Sequence, residues 1–368
     1  MSMTLLIATP LYPPETGGPA TYVRILEEQL PGRGIEVRVV KFSSVRRYPK
    51  VLRHVLCFWQ VLKNARGVDA ILALDPVSVG VPAVLAAMVL RKPFFLKMVG
   101  DYAWEQGRQR FGVSSPLDRF VHERSHNSTV ELLKRIQFWV AQKAKRVIVP
   151  SAYLKTIVTA WGVPSERIEV IHNGVAVGEP GAVPPAFSEV ARPRIVTAAR
   201  LVPWKGIGGL IDAIAEIRTD VPSVSLVVIG EGPHREHLES YAAARLKEGF
   251  VFLGALDHAE TLAAIKEADV FALNTSYEGL SHVLIEAMAL GASIVTTTAG
   301  GNPELIEDRK EGLLVPTGDR DGLEAALREM LADPALRTAL AANAKQKAGA
   351  FSEVRMVEQT AAFFDKQV

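Results

Sequence analysis

Short β-branched runs alternate with longer amphipathic segments along the whole chain, in two successive series. The first series has candidate strands at 4–9, 35–41, 69–74, 93–99, 146–149 and 168–171; the second has them near 194–199, 224–229, 250–253, 270–273, 293–298 and 313–315. Parallel strands need a long crossover, ordinarily a helix, so this alternation predicts parallel sheets covered by helices. Between the series, Gly178-Glu179-Pro180-Gly181-Ala182-Val183-Pro184-Pro185 has no periodicity, and 178–193 reads as an interdomain linker. At 368 residues the chain exceeds the size at which one core stops growing, so two domains are expected, at 1–177 and 194–350. The expected fold class is α/β, two doubly wound Rossmann-like domains.

Charge separates the two halves. Residues 1–180 hold 24 Lys and Arg against 14 Asp and Glu, a net +10, while the remainder holds 18 against 26, a net −8, so the overall +2 hides opposite halves. The single cysteine, Cys57, excludes an intramolecular disulfide framework and suits a reducing compartment, so a cytoplasmic location is expected. The start, Met3–Thr9, is an apolar strand that runs into Pro10 without the basic segment and cleavage site of a signal peptide. The longest uncharged stretches, 76–90 and 287–303, fall short of the roughly 20 residues that cross a bilayer.

Residues 50–64 read as a basic amphipathic helix. Val51, Val55, Phe58, Trp59 and Leu62 recur at helical spacing, amid the cluster of Arg46, Arg47, Lys50, Arg53, Lys63 and Arg66. Such a stripe either packs on the sheet of the first domain, leaving a solvated basic face, or rests on an anionic membrane surface. The second reading implies peripheral binding at the cytoplasmic face of a membrane and a lipid-linked or membrane-proximal acceptor. Nucleic acid is not among the expected partners.

In open α/β sheets ligands bind beyond the carboxyl ends of the strands, and the motifs with chemical content sit there. Pro13-Pro14-Glu15-Thr16-Gly17-Gly18-Pro19 follows the first strand, a glycine turn whose N–H groups can meet a phosphate or sugar. It is not GxGxxG, which weakens a dinucleotide-binding reading. Arg200-Leu201-Val202-Pro203-Trp204-Lys205-Gly206 sets two cations after the first strand of the second domain, a cradle for a diphosphate. Glu278 and Glu286 lie in the run from Tyr277 to Gly291; were most of it helical, eight residues at 1.5 Å rise would put the carboxylates about 12 Å apart. A glutamate in a first helical turn often only complements the helix dipole. A second one in an otherwise apolar segment needs a hydrogen-bonding partner, for which ribose hydroxyls are suited.

Together the glycine loop, Arg200 with Lys205, the paired glutamates and the turn Ala299-Gly300-Gly301-Asn302-Pro303-Glu304 resemble glycosyltransferase family 4. The resemblance covers nearly the whole chain, including the helix start at Ser151, Asn173-Gly174-Val175 and the tail 351–368, which in the family crosses back onto the N-terminal domain. It implies the GT-B fold, with two domains facing across a cleft, and a retaining transferase that moves a sugar from a nucleoside-diphosphate sugar to an acceptor. That acceptor is a sugar, a lipid-linked sugar or a growing surface glycan. By position, Glu278 holds donor-sugar hydroxyls, Glu286 the ribose, and Arg200 with Lys205 the diphosphate. Backbone around Leu256 meets the base, the amides of Gly279 and Leu280 approach the sugar or distal phosphate, and Gly17 and Gly18 face the donor. The nucleotide sugar is a co-substrate, UDP being favoured, and no bound cofactor is expected.

The chain departs from the family where many relatives carry a histidine after the fourth strand: it has Gly100-Asp101. Asp101 stands there either as an acceptor-facing or sugar-binding carboxylate or as a helix cap. No metal is expected, because Asp319-Arg320-Asp321 reads as a helix start and His122, His126 and His172 lack ligand spacing. The rival classes are a nucleotide-sugar epimerase, which needs no acceptor, and a non-catalytic sugar-nucleotide-binding protein, whose mark would be loss of Arg200, Lys205 or a glutamate. A nicotinamide oxidoreductase is disfavoured by the missing fingerprint.

Overall fold

The computed structural model describes residues 3–15, 17–124 and 127–367. It divides the chain into two compact units, one of Met1–Gly174 with Glu353–Val368 and one of Val175–Ser352. The first is built on β1 (Met3–Thr9), β2 (Ile35–Lys41), β3 (Ala70–Ala73), β4 (Phe94–Lys97), β5 (Arg146–Val149) and β6 (Ile168–Val170), in the order β2-β1-β3-β4-β5-β6. The second is built on β7 (Arg194–Ala198), β8 (Ser225–Ile229), β9 (Phe250–Gly254), β10 (Val270–Leu273), β11 (Ile294–Thr297) and β12 (Leu313–Val315), in the order β12-β11-β10-β7-β8-β9. All paired strands are parallel, and every expected strand is present within two residues of its expected bounds.

The inner strands are legible because helices cover both faces of each sheet. Ala70–Ala73, Phe94–Lys97 and Ser225–Ile229 are buried at every position and, apart from Lys97 and Ser225 at their ends, read as continuous apolar runs rather than alternating ones. Edge strand β2 instead alternates, with Glu36 and Arg38 exposed, which blunts the open edge. Strand order reverses between β1 and β3 in the first unit and between β7 and β10 in the second. The loops after these strands are where a ligand crevice opens.

Residues 178–193, expected as a linker, belong to the second unit. They form the short helix Pro185–Glu189, which buries Phe187 completely among Val196, Val227 and Phe271. Val183 and Val190 pack on the same cluster, the Gly181 N–H donates to the Ala259 carbonyl and Arg192 pairs with Asp269 and Glu267, so the segment is held along its length although its Pro and Gly content hid this. The tail forms helix Glu353–Asp365 in the first unit, with the Phe363 and Phe364 rings edge-on to Phe95 at 5.6 and 5.2 Å.

Lys50–Asn64 is a helix, yet it does not bury the expected stripe. It buries Cys57 and Val61, while Val51, Val55 and Trp59 are exposed. The helix lies along helix Gly80–Leu90, and that contact turns the apolar residues outward. Among the described residues no helix is long and apolar enough to cross a membrane.

Candidate active site

Three loops of the second unit converge on Glu278. After β7 the chain runs through Arg200 to a single turn, Pro203–Lys205, that buries Trp204. Gly206, at φ 61°, then opens helix Ile207–Ile217. After β10, the segment 274–281 lies against this turn. The Asn274 side chain donates to the Gly206 carbonyl at 2.9 Å, and the Ser276 N–H and Thr275 hydroxyl both donate to the Trp204 carbonyl, at 2.7 and 3.1 Å. A Cβ on Gly206 would run into the Asn274 carbonyl, so this approach requires glycine. From the loop after β11, the Gly301 N–H donates to the Glu278 carbonyl at 3.1 Å. Asn302, wholly buried, braces that loop by donating to the Thr296 hydroxyl and the Thr297 carbonyl at 3.1 and 3.2 Å.

In this frame the Lys205 ammonium donates to Glu278 Oε1, with the two side chains 16% and 10% exposed. The expected helical spacing of the glutamates does not apply. Helix His282–Leu290 starts four residues after Glu278, which therefore sits in the loop after β10, its side chain beside Lys205, rather than in a first turn. The Gly279 and Leu280 residues between them are buried, and their N–H groups donate to no protein acceptor among the described residues. Arg200 is exposed and its guanidinium has no protein partner among the described residues.

Glu286 lies on helix His282–Leu290 with its side chain 15% exposed, and His258 Nε2 is 3.0 Å from its Oε1. Burial pushes the Glu286 carboxyl above the usual carboxylate range, against the pull of His258. His258 begins helix His258–Lys266, two residues beyond Leu256, which is half-buried against the core. Glu286 and the Leu256 loop thus share one corner of the unit. Sequence reasoning missed His258 and Asn302. Asn302 stood within the glycine turn as a signal, whereas His258 had none.

The first unit has its own crevice. Loops after β1, β3 and β4 line a pocket of about 140 Å³ that includes Pro19, Asp75, Met98, Gly100 and Tyr102. Gly17, the N-cap of helix Gly18–Gln29, and Gly18 are exposed at the end of the glycine loop; Thr16 lies outside the described residues. Asp101 is wholly buried and does not line this pocket. Its Oδ1 accepts from the Trp104 N–H at 2.8 Å, capping helix Tyr102–Arg110, and burial raises its carboxyl pKa. Of the two roles weighed for it, this geometry is the cap. Asp319 likewise caps helix Arg320–Ala332 through the Gly322 N–H at 2.9 Å. Among the described residues no three His, Cys, Asp or Glu side chains cluster as metal ligands, and His126 lies outside those residues.

Two family models match the chain. Glycosyltransferase Family 4 matches residues 16–179, and Glycosyl transferases group 1 matches 186–347. The chain is 31% identical over 270 residues to a glycogen synthase of Mycobacterium tuberculosis, covering 71% of this chain and 61% of that one. It is 33% identical over 211 residues to a GDP-mannose-dependent alpha-(1-6)-phosphatidylinositol monomannoside mannosyltransferase of Mycolicibacterium smegmatis, covering 53% and 55%. The chain therefore spans 55 to 61% of the length of these curated relatives. In fold it matches sucrose-phosphate synthase of Thermosynechococcus elongatus, with TM-score 0.79, 21% identity and 99% of both chains covered. It also matches HepE of Anabaena in complex with UDP and glucose, with TM-score 0.77, 20% identity and 99% and 100% covered. With both units matched in sequence and nearly the whole chain matched in fold, this GT-B chain belongs to glycosyltransferase family 4.

Proposed function

We propose that this chain is a retaining, metal-independent glycosyltransferase that moves a sugar from a nucleoside-diphosphate sugar to a lipid-linked or glycan acceptor. The observation that carries the reading is the Lys205–Glu278 pair at the strand-order reversal, beside the unused N–H groups of Gly279 and Leu280. Glu278 accepts hydrogen bonds from donor-sugar hydroxyls. An ammonium has three donors, and Glu278 takes one from Lys205, leaving two for phosphate oxygens. As the glycosidic bond to the diphosphate breaks, negative charge grows on the leaving oxygens. Lys205, Arg200 and the Gly279 and Leu280 amides stabilise it as preorganised donors. Glu286 holds the ribose and the Leu256 backbone the base. UDP is the first donor to test, because HepE, of the same fold, is solved with UDP and with UDP-glucose.

A thermal-melting screen with UDP, GDP and ADP and their sugars tests the reading. A ligand that binds only the folded state adds about 2.7 kcal/mol at a hundred times its Kd. One base should raise the melting temperature, and its nucleotide sugar should still raise that of Lys205→Ala, because that loss falls chiefly on the transition state. No shift with any diphosphate at millimolar concentration would overturn the proposal.

A further inference from the structure

The first unit carries an apolar groove that its own described residues leave open. Helices Lys50–Asn64 and Gly80–Leu90 form its walls, with Ile136 of helix Ser128–Lys143 also lining it, and it encloses about 440 Å³. Val51, Val55, Phe58, Val81 and Leu85 line it, and His54 is its one polar side chain. Trp59, Met88 and Val89 extend the apolar surface outward, all more than half exposed. A contiguous exposed apolar surface marks an interaction site, and this volume lies within the small-molecule range.

Two further observations name the occupant. The flanking chain is predominantly cationic: residues 37–68 carry eight Lys and Arg and no Asp or Glu, and 76–96 carry Arg91 and Lys92 and no acid, although Arg46 pairs with Glu15 and Asp75 stands between the two segments. The groove also lies next to the pocket at the carboxyl ends of β1, β3 and β4. Val77 lines the groove, while Asp75 and Pro76, the residues just before it, line the pocket. Arg53 stands at this junction, close enough with Asp75 to act electrostatically on both His54 and Tyr102. Its Nε is a buried donor without a partner among the described residues.

We propose that the groove holds the hydrocarbon chain of an anionic, phosphate-bearing lipid acceptor, with Arg53 on the phosphate and the sugar-accepting head in the adjoining pocket. A chain seated there presents its head to the crevice while its far end leaves over the exposed residues Val51 and Val89 toward a bilayer. This deepens the proposed function, since the acceptor role of the head rests on that reading while the groove's taste for a chain does not.

Linear alkyl phosphates from butyl to dodecyl, each below its micelle concentration, test it by calorimetric titration of the full chain. Each methylene taken up by the groove should tighten binding about fourfold until the groove is full. Leu85→Glu and Val55→Glu, at partly exposed helical positions, should flatten that series, and Arg53→Gln should weaken every member alike while keeping the slope. A flat series with wild-type protein overturns the proposal, whatever the variants do. Dimerisation in sedimentation equilibrium that Leu85→Glu abolishes, alongside a flat series, would instead assign the groove to a second copy of the chain. Nucleoside-diphosphate binding in the same samples separates the two readings. A steep series without any nucleotide binding sinks the transferase reading and leaves the groove standing; nucleotide binding with a flat series does the reverse.

Discussion

Lys205 and Glu278, 73 residues apart in sequence, form a hydrogen-bonded ion pair where the strand order of the second unit reverses. Both side chains are largely withdrawn from water, and the Glu278 carbonyl is held by the Gly301 N–H. Removing one partner leaves a desolvated charge behind, which costs more than removing both. Lys205→Ala should therefore lower stability more than the double substitution Lys205→Ala with Glu278→Ala. Denaturant unfolding of the four proteins of the cycle should yield a coupling of at least about 1 kcal/mol. Additive effects would mean that the pair is not formed in solution.

Glu286 combines burial with a raised carboxyl pKa. The folded state holds this proton more tightly than the unfolded chain does, so the side chain costs stability once the pH is above its raised value. Glu286→Gln should accordingly be more stable than wild type near pH 8, and the gain should disappear as the pH falls below the ordinary glutamate range. In turnover, Glu286→Ala should mainly raise the donor KM. A lost hydrogen bond to a charged group is worth about 1.5 to 3 kcal/mol, roughly ten- to a hundredfold. A pH-independent stability difference would contradict the first expectation, and a collapse of kcat at unchanged KM the second.

Asp101 offers a sharp contrast between two roles. As an N-cap buried at the start of helix Tyr102–Arg110, its replacement by Ala should cost about 1 to 2 kcal/mol of stability. The kcat of the protein that remains folded should stay close to wild type. Full stability with lost turnover would restore the sugar-binding role.

Lys97 gives the first unit a pH signature of its own. Fully buried, with its ammonium 3.1 Å from the Ile171 carbonyl, it has a pKa lowered by desolvation to about 7. Between that value and the ordinary lysine range the unfolded chain binds the proton and the folded state releases it, so stability rises with pH across this window and the cost is full below it. Lys97→Met should exceed wild type in stability at pH 6, with the gap narrowing by up to about 1.4 kcal/mol per unit between pH 7 and pH 10. Urea unfolding at pH 6 and pH 9 checks this, and a constant gap would contradict it.

The strands were legible because buried parallel strands are continuous apolar runs, and the loops that carry Arg200, Lys205 and Glu278 were legible because strand ends locate them. The start of the helix bearing Glu286 was not. Leu280, Val283 and Leu284 are apolar on either side of the boundary at His282, so periodicity does not mark it. Helix Lys50–Asn64 was legible as a helix, yet which of its faces is covered depends on helix Gly80–Leu90, a contact outside its own sequence window. His258 was invisible for the same reason: its meaning comes from Glu286, 28 residues away.

In the proposed reaction Lys205 stabilises the charge that develops on a departing diphosphate. The steady-state release of nucleoside diphosphate from the donor identified by melting, compared between wild type and Lys205→Ala, tests it directly. Losing one preorganised contact of this kind costs about 3 to 4 kcal/mol, so kcat should fall roughly a hundred- to a thousandfold with a smaller change in KM. A Lys205→Ala protein that melts as a folded species and turns over near the wild-type kcat would contradict the account.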